Sequence, residues 1–142
     1  MGVVIQGVPV VRGRAQGLTL VTNEPISFWG GFDHHTGEIT DRRHPLSGQK
    51  ATGRILVVPF TRGSSTTTAV LLEAIRSGTA PAAIITTSVD SFFALASIVA
   101  DEMYAKSIPI IALDSSSFSS LQTGMELEIM EDGSIHVRTD IN

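Results

Sequence analysis

The sequence predicts an α/β fold: a central βαβαβ unit with β-strands at both ends of the chain. Three observations predict it. Short runs of β-branched and small apolar residues at 55–59, 81–87 and 109–113 alternate with helical apolar spacing at 69–77 and 92–104, and that alternation builds a parallel sheet through crossover helices. Residues 125–130 and 134–138 alternate apolar with polar around Glu131-Asp132-Gly133, whose Asp-Gly pair signals a hairpin. The chain opens on valines and glycines in extended order, a strand pattern.

Each element has a local reason. Residues 3–11 read as one strand and 13–21 as a second extended segment, stopped by Asn23-Glu24-Pro25. Residues 26–48 hold no sustained period and read as a long loop, with a short strand at 38–41. The loop carries the sole Trp and three of the four histidines, and its Phe28, Trp29 and Phe32 argue against disorder. Residues 55–59 form a continuous apolar run, as in a strand buried on both faces. After a hydroxyl-rich turn, Val70, Leu71, Ala74 and Ile75 mark one face of a helix that Gly78 ends. Residues 81–87 return as the next strand, 92–104 form a second helix capped by Ser88 or Asp90, and 109–113 form a third strand. Residues 115–120 read as a polar connection to the terminal hairpin.

At 142 residues the chain suits one domain, residues 1–142. With 42% hydrophobic and 17% charged residues, it has the composition of a packed core rather than of a disordered chain. A net charge of -4, with arginines scattered rather than banked, excludes a basic nucleic-acid face. There is no cysteine, so disulfides and thiolate-held clusters within the chain are excluded. The start lacks a signal-peptide pattern, and no apolar run approaches the roughly 20 residues of a membrane span. A cytoplasmic location is the expectation.

Two constellations carry chemistry. The first is Arg62-Gly63-Ser64-Ser65-Thr66-Thr67-Thr68, between a strand and a helix. Free backbone N–H groups at a helix start hold carboxylate or phosphate, and a serine there is exposed. The segment lacks the spaced Gly-Lys-Ser/Thr of a Walker loop and is not a G-x-S-x-G elbow. An ordinary Ser/Thr helix cap is the competing reading. The second is Trp29-Gly30-Gly31-Phe32-Asp33-His34-His35, where glycines allow close backbone approach and Asp33 and the histidines offer acid, base or ligand groups. The adjacent histidines have no spaced third ligand, so a metal site within this chain is not expected. Aromatics such as Trp29 are more often core than platform.

Taken together, residues 25–33, Thr36-Gly37, Asp41, His44-Pro45-Leu46, Gly48, the run 53–59 and Arg62-Gly63-Ser64-Ser65 resemble the small subunit, or swivel domain, of aconitase X. The resemblance covers residues 13–113. It implies a swivelling β/β/α domain that closes over a large subunit carrying iron or an iron–sulfur cluster, with the active site shared between the two chains. A heterodimer follows, this chain being inactive alone and binding no cofactor of its own. Absence of cysteine fits that division.

In the wider aconitase superfamily the first serine of a Gly-Ser-Ser turn abstracts a proton beside a carboxylate, and Ser64 matches it. An arginine that clamps a substrate carboxylate follows the serines in ordinary aconitases; Thr66 stands there here. By this resemblance Ser64 is catalytic. Arg62, Gly63, Ser65 and Thr66 shape the anion-binding turn, and Trp29, Gly30, Gly31, Asp33 and His34 line or cover the pocket. Two dehydrations are known in the family, of cis-3-hydroxy-L-proline and of mevalonate 5-phosphate. Archaeal small subunits tend to read Gly-Ser-Thr-Val-Gly-Ser at the turn, so this chain leans toward hydroxyproline, with a phosphomevalonate dehydratase subunit as the alternative. A non-catalytic interaction or anion-binding module on the same fold is the reading of another class.

Overall fold

The structure, a computed structural model, describes residues 3–61 and 65–138. Its strands are β1 (Val3–Gln6), β2 (Val8–Val11), β3 (Ala15–Val21), β4 (Phe32–Asp33), β5 (Glu38–Ile39), β6 (Ile55–Val57), β7 (Ala83–Thr86), β8 (Ile110–Ala112), β9 (Glu126–Ile129) and β10 (Ser134–Arg138). Its helices are α1 (Phe28–Gly31), α2 (Ser65–Ser77), α3 (Ser91–Tyr104) and α4 (Ser115–Ser119). Eight strands join in the order β1-β10-β9-β3-β6-β7-β8-β2, and β4 pairs with β5 alone. The β3, β6, β7 and β8 ladders are parallel, and the remaining ones are antiparallel.

The central strands are buried on both faces because their alternate residues feed two cores. Leu56, Val58, Ile84 and Ile110 point to α2 and α3, where they meet Leu71, Ala74, Phe93 and Ala96. Ile55, Val57, Ile85 and Ile111 point the other way, onto Leu127, Ile129, Ile135 and Val137 of the terminal hairpin. The result is a β layer, a central sheet and a helical layer. Ser97 lies within the helical layer, where its hydroxyl donates to the Ile108 carbonyl and accepts from the Ile108 N–H.

Residues 3–11, expected as one strand, are two strands broken at Gly7, and β1 and β2 take opposite edges of the strand order. The sheet therefore curls until its edges meet at Gly7. There the Gly7 N–H donates to the Gly133 carbonyl at 3.0 Å. A Cβ on Gly7 would sit 2.4 Å from Ile111 Cγ2, so a side chain would hold the two edges apart.

Three other expectations are adjusted. Helix α2 begins at Ser65, not at 69, so the hydroxyl residues after Ser64 form its first turn. Residues 115–119 form α4, started by Asp114, whose carboxylate accepts the Ser117 N–H. The loop 26–48 contains the single turn α1 and the β4–β5 hairpin. The rest stands: both crossovers are parallel, β9 and β10 form the hairpin, and Asp90 is the N-cap of α3.

Candidate active site at the ends of the parallel strands

Ligand sites of open parallel sheets lie beyond the carboxyl ends of the strands. Here β6 runs out into Val58-Pro59-Phe60-Thr61, and neighbours on both sides hold this extension. On one side the Thr22 N–H donates to the Val57 carbonyl and Ile26 bridges to Thr61. On the other, Val58 N–H reaches the Ile85 carbonyl, Thr87 N–H reaches the Pro59 carbonyl, and Asp90 Oδ2 accepts the Thr61 N–H at 2.8 Å. Arg62, Gly63 and Ser64, all assigned to the site from the sequence, lie outside the described residues. The described chain resumes at Ser65, the first residue of α2. Thr66 is half-buried and Thr67 is buried, while Thr68 Oγ1 donates to the Phe92 carbonyl at 3.1 Å.

The aromatic loop reaches the same end of the sheet through Ile26. Phe28 is fully buried, stacked on Phe32 with ring centroids 4.7 Å apart and edge-on to Phe93 at 5.3 Å. Those contacts are worth about 0.5–1.5 kcal/mol each beyond area burial. They anchor α1, and its next residue points outward: Trp29 is 72% exposed. Gly30 has φ +76 with nothing near its would-be Cβ, so backbone conformation rather than space requires glycine there. Gly31 is buried, and its carbonyl accepts the Thr40 N–H.

Asp33 and His34 are placed elsewhere. Asp33 Oδ1 accepts the His35 N–H at 2.8 Å and its carbonyl accepts the Gly37 N–H, closing the β4–β5 turn. The His35 N–H is the main reason its carboxyl is held below the usual range. The His34 carbonyl accepts from Thr79 Oγ1 at 2.6 Å, beyond the C-terminus of α2. The His34 and His35 rings lie 4.1 Å apart, tilted by 40°, near Glu73, which pairs with Arg76. A helix of this length spans roughly 20 Å, so these groups flank the far half of α2 while the hydroxyl segment opens it. Ile26 links the aromatic loop to Thr61, whereas the bonds of Asp33 and His34 lie at the β4–β5 turn and beyond the C-terminus of α2.

His44 is buried with both ring nitrogens used. Its Nδ1 accepts the Leu46 N–H, which leaves Nε2 protonated to donate to the Glu24 carbonyl. The residue that sequence reasoning missed as part of the site is Asp90. It was legible as a helix cap, but its second bond, to Thr61, joins residues 29 positions apart. Among the described residues no group of three or more His, Asp or Glu could hold a metal ion, and the chain has no cysteine. The donors of the described residues do not fit an iron centre. No helix among the described residues is long and apolar enough to cross a membrane.

Residues 4–137 match the family described as the aconitase X swivel domain. The chain belongs to that family. It is 47% identical over 104 residues to a cis-3-hydroxy-L-proline dehydratase of Pseudomonas aeruginosa, covering 73% of this chain and 18% of that protein. It is 35% identical over 124 residues to the phosphomevalonate dehydratase small subunit of Methanothermobacter thermautotrophicus, covering 87% of this chain and 90% of that subunit. A chain in the crystal structure of Thermococcus kodakaraensis aconitase X, holo form, superposes with a TM-score of 0.85 at 31% identity, over 96% of this chain and 98% of that one. The α/β architecture is thus the aconitase X swivel fold. This swivel domain spans about a fifth of the length of the hydroxyproline dehydratases it matches, and nearly the whole of the archaeal small subunits.

Proposed function

We propose that this swivel domain is the small subunit of an aconitase X type hydro-lyase that dehydrates cis-3-hydroxy-L-proline, with Ser64 as the proton acceptor. The observation that supports the reading is the pair of elements that flank the hydroxyl segment. Thr61 is tied down at the carboxyl end of β6 and α2 opens at Ser65, so in sequence Ser64 directly precedes a helix start, whose dipole favours an anion. Lowering the pKa of a hydroxyl takes donors and nearby positive charge. Ser65 and Thr66 supply N–H groups, and Arg62 or a cation of the large subunit supplies the charge.

The chemistry is elimination of water from a 3-hydroxy acid. The proton on the carbon beside the carboxylate passes to Ser64 Oγ, its bonding pair becomes the new C=C bond, and the hydroxyl on the next carbon leaves with a proton as water. Arg62, Gly63, Ser65 and Thr66 hold the substrate's anionic group, and Trp29, Gly30 and Gly31 form the wall from the aromatic loop. Asp33 and His34 act at one remove, by fixing the turn that ends that loop. Iron, or an iron–sulfur cluster, belongs to the large subunit in this reading, because the chain has no cysteine and its described residues gather no metal-binding group.

The face toward the large subunit is supported by exposed apolar side chains. Phe60, Val89, Phe92, Leu95, Ile98 and Met103 lie open along the strand ends and α3, and no Lys or Arg stands between Arg76 and Lys106. Such a strip, free of basic residues and acidic only at Asp90, Asp101 and Glu102, suits the core of an interface. A phosphomevalonate dehydratase small subunit is the second reading, favoured by coverage of whole archaeal subunits. Both substrates are 3-hydroxy acids, so the same serine serves either. In a non-catalytic module the hydroxyl segment would only start a helix.

The test is Ser64→Ala in the complex with the large subunit, after assembly is verified. Turnover should fall at least a thousandfold on whichever substrate wild type consumes. Near wild-type turnover would end the assignment of Ser64, and wild-type activity with mevalonate 5-phosphate but not hydroxyproline would select the second reading.

A further inference from the structure

Asp90 is a buried carboxylate that uses both oxygens on backbone N–H groups of two different segments. Oδ1 accepts from Phe92 N at 3.1 Å and Phe93 N at 3.2 Å, which caps α3. Oδ2 accepts from Thr61 N at 2.8 Å, which does nothing for α3. A cap needs a single acceptor, and serine or asparagine would serve as well. The carboxylate is required only if Thr61 must be held too. On the other side of the hydroxyl segment, Thr68 Oγ1 donates to the Phe92 carbonyl, again in the first turn of α3. The chain entering the segment and the chain leaving it are therefore both tied to one rigid point.

We propose that Asp90 is a positioning residue that fixes Thr61, where β6 leads into the hydroxyl segment, against the first turn of α3. The proposal rests on the functional reading above for what the segment does, and on the hydrogen bonds alone for how it is held. Asp90 touches no reacting atom in this role. Its effect passes through Thr61, and a displacement of about 1 Å at a catalytic group can cost on the order of a hundredfold in rate.

Asparagine and serine separate the two duties. In Asp90→Asn the carbonyl oxygen keeps the cap, while the amide turns a donor toward the Thr61 N–H. Asp90→Ser keeps the cap and is too short to reach Thr61. Both variants should assemble with the large subunit and melt within about 3 °C of wild type, since the cap survives. The expected result is a fall in kcat of at least tenfold, KM within about threefold, and amide exchange at Thr61 at least tenfold faster. Wild-type kcat with wild-type exchange at Thr61 in both variants would overturn the proposal. Ser64→Ala run alongside keeps the two ideas apart. If it is inactive while Asp90→Asn turns over normally, the Asp90 role falls and the functional reading stands. If it turns over normally, the functional reading falls, and exchange at Thr61 with kcat of the Asp90 variants still decides whether Asp90 positions the segment.

Discussion

Closure of the sheet on itself depends on two glycines, and Gly133→Ala perturbs it most directly. Gly133 has φ +88, a conformation that costs an L side chain about 1–2 kcal/mol. Its Cβ would also lie 2.6 Å from the Gly7 carbonyl oxygen and 2.7 Å from Pro9 Cδ. Neither neighbour is the free end of a flexible chain. Both belong to the bend that carries β1 into β2, so the hairpin and the bend must separate by several tenths of an ångström. Forcing an extra methyl into a filled site adds about 1–3 kcal/mol. Together the loss is about 2–5 kcal/mol, which for a domain of this size lowers Tm by roughly 6–15 °C. Gly30→Ala is the matched control, with φ +76 and open space around its Cβ. It bears only the conformational part, about 1–2 kcal/mol. Thermal melts of the two variants under one buffer measure the difference. Equal shifts would refute the claim that the two sheet edges meet under steric contact at Gly7 and Gly133.

Replacing Leu95 and Ile98 together by lysine places charge on the open face of α3; the isolated chain should keep its Tm within about 2 °C, because exposed substitutions rarely exceed 0.5 kcal/mol. Co-elution with the large subunit should weaken about thirtyfold or more, the effect of losing a hot spot of about 2 kcal/mol, whereas Val4→Lys on the outer edge strand should leave it unchanged. Wild-type co-elution of the double variant would assign the interface elsewhere. Acid stability gives a second test. Backbone N–H groups of His35 and Ser117 lower the Asp33 and Asp114 carboxyls, and the Ser134 hydroxyl and N–H lower Asp132. Groups with a depressed folded pKa add stability above their unfolded value, about 3.9, and lose it as pH falls through the folded value. Tm should therefore be flat from neutral pH to about 5 and drop below about 4, and Asp132→Asn should drop less steeply. A Tm that rises on acidification, or identical slopes, would contradict that account.

How much of this was legible before the structure depended on the range of the interaction. Local rules located the parallel strands at 55–57, 83–86 and 110–112, both long helices and the Asp132-Gly133 hairpin, because period, caps and turn chemistry are written within a few residues. The start of α2 was placed four residues late, since serine and threonine read equally as turn or first helical turn. Helix α4 hid in a serine run whose only signal was Asp114 as its cap. Residues 3–11 read as one strand because nothing in their sequence says that Gly7 must pass within hydrogen-bond reach of Gly133. The resemblance to aconitase X, rather than any local rule, joined the hydroxyl segment and the aromatic loop as one proposed site.

Sequence by itself determined the family, the α/β class, the two-sided burial of the central strands and the hydroxyl segment at the head of α2, since each rests on residue type and short spacing. Tertiary structure alone decided that Trp29 faces solvent while Phe28 and Phe32 are core, that Asp33 and His34 flank the far half of α2, and that Asp90 holds Thr61. Those outcomes depend on which distant segments meet. Chain topology, not local preference, sets such meetings.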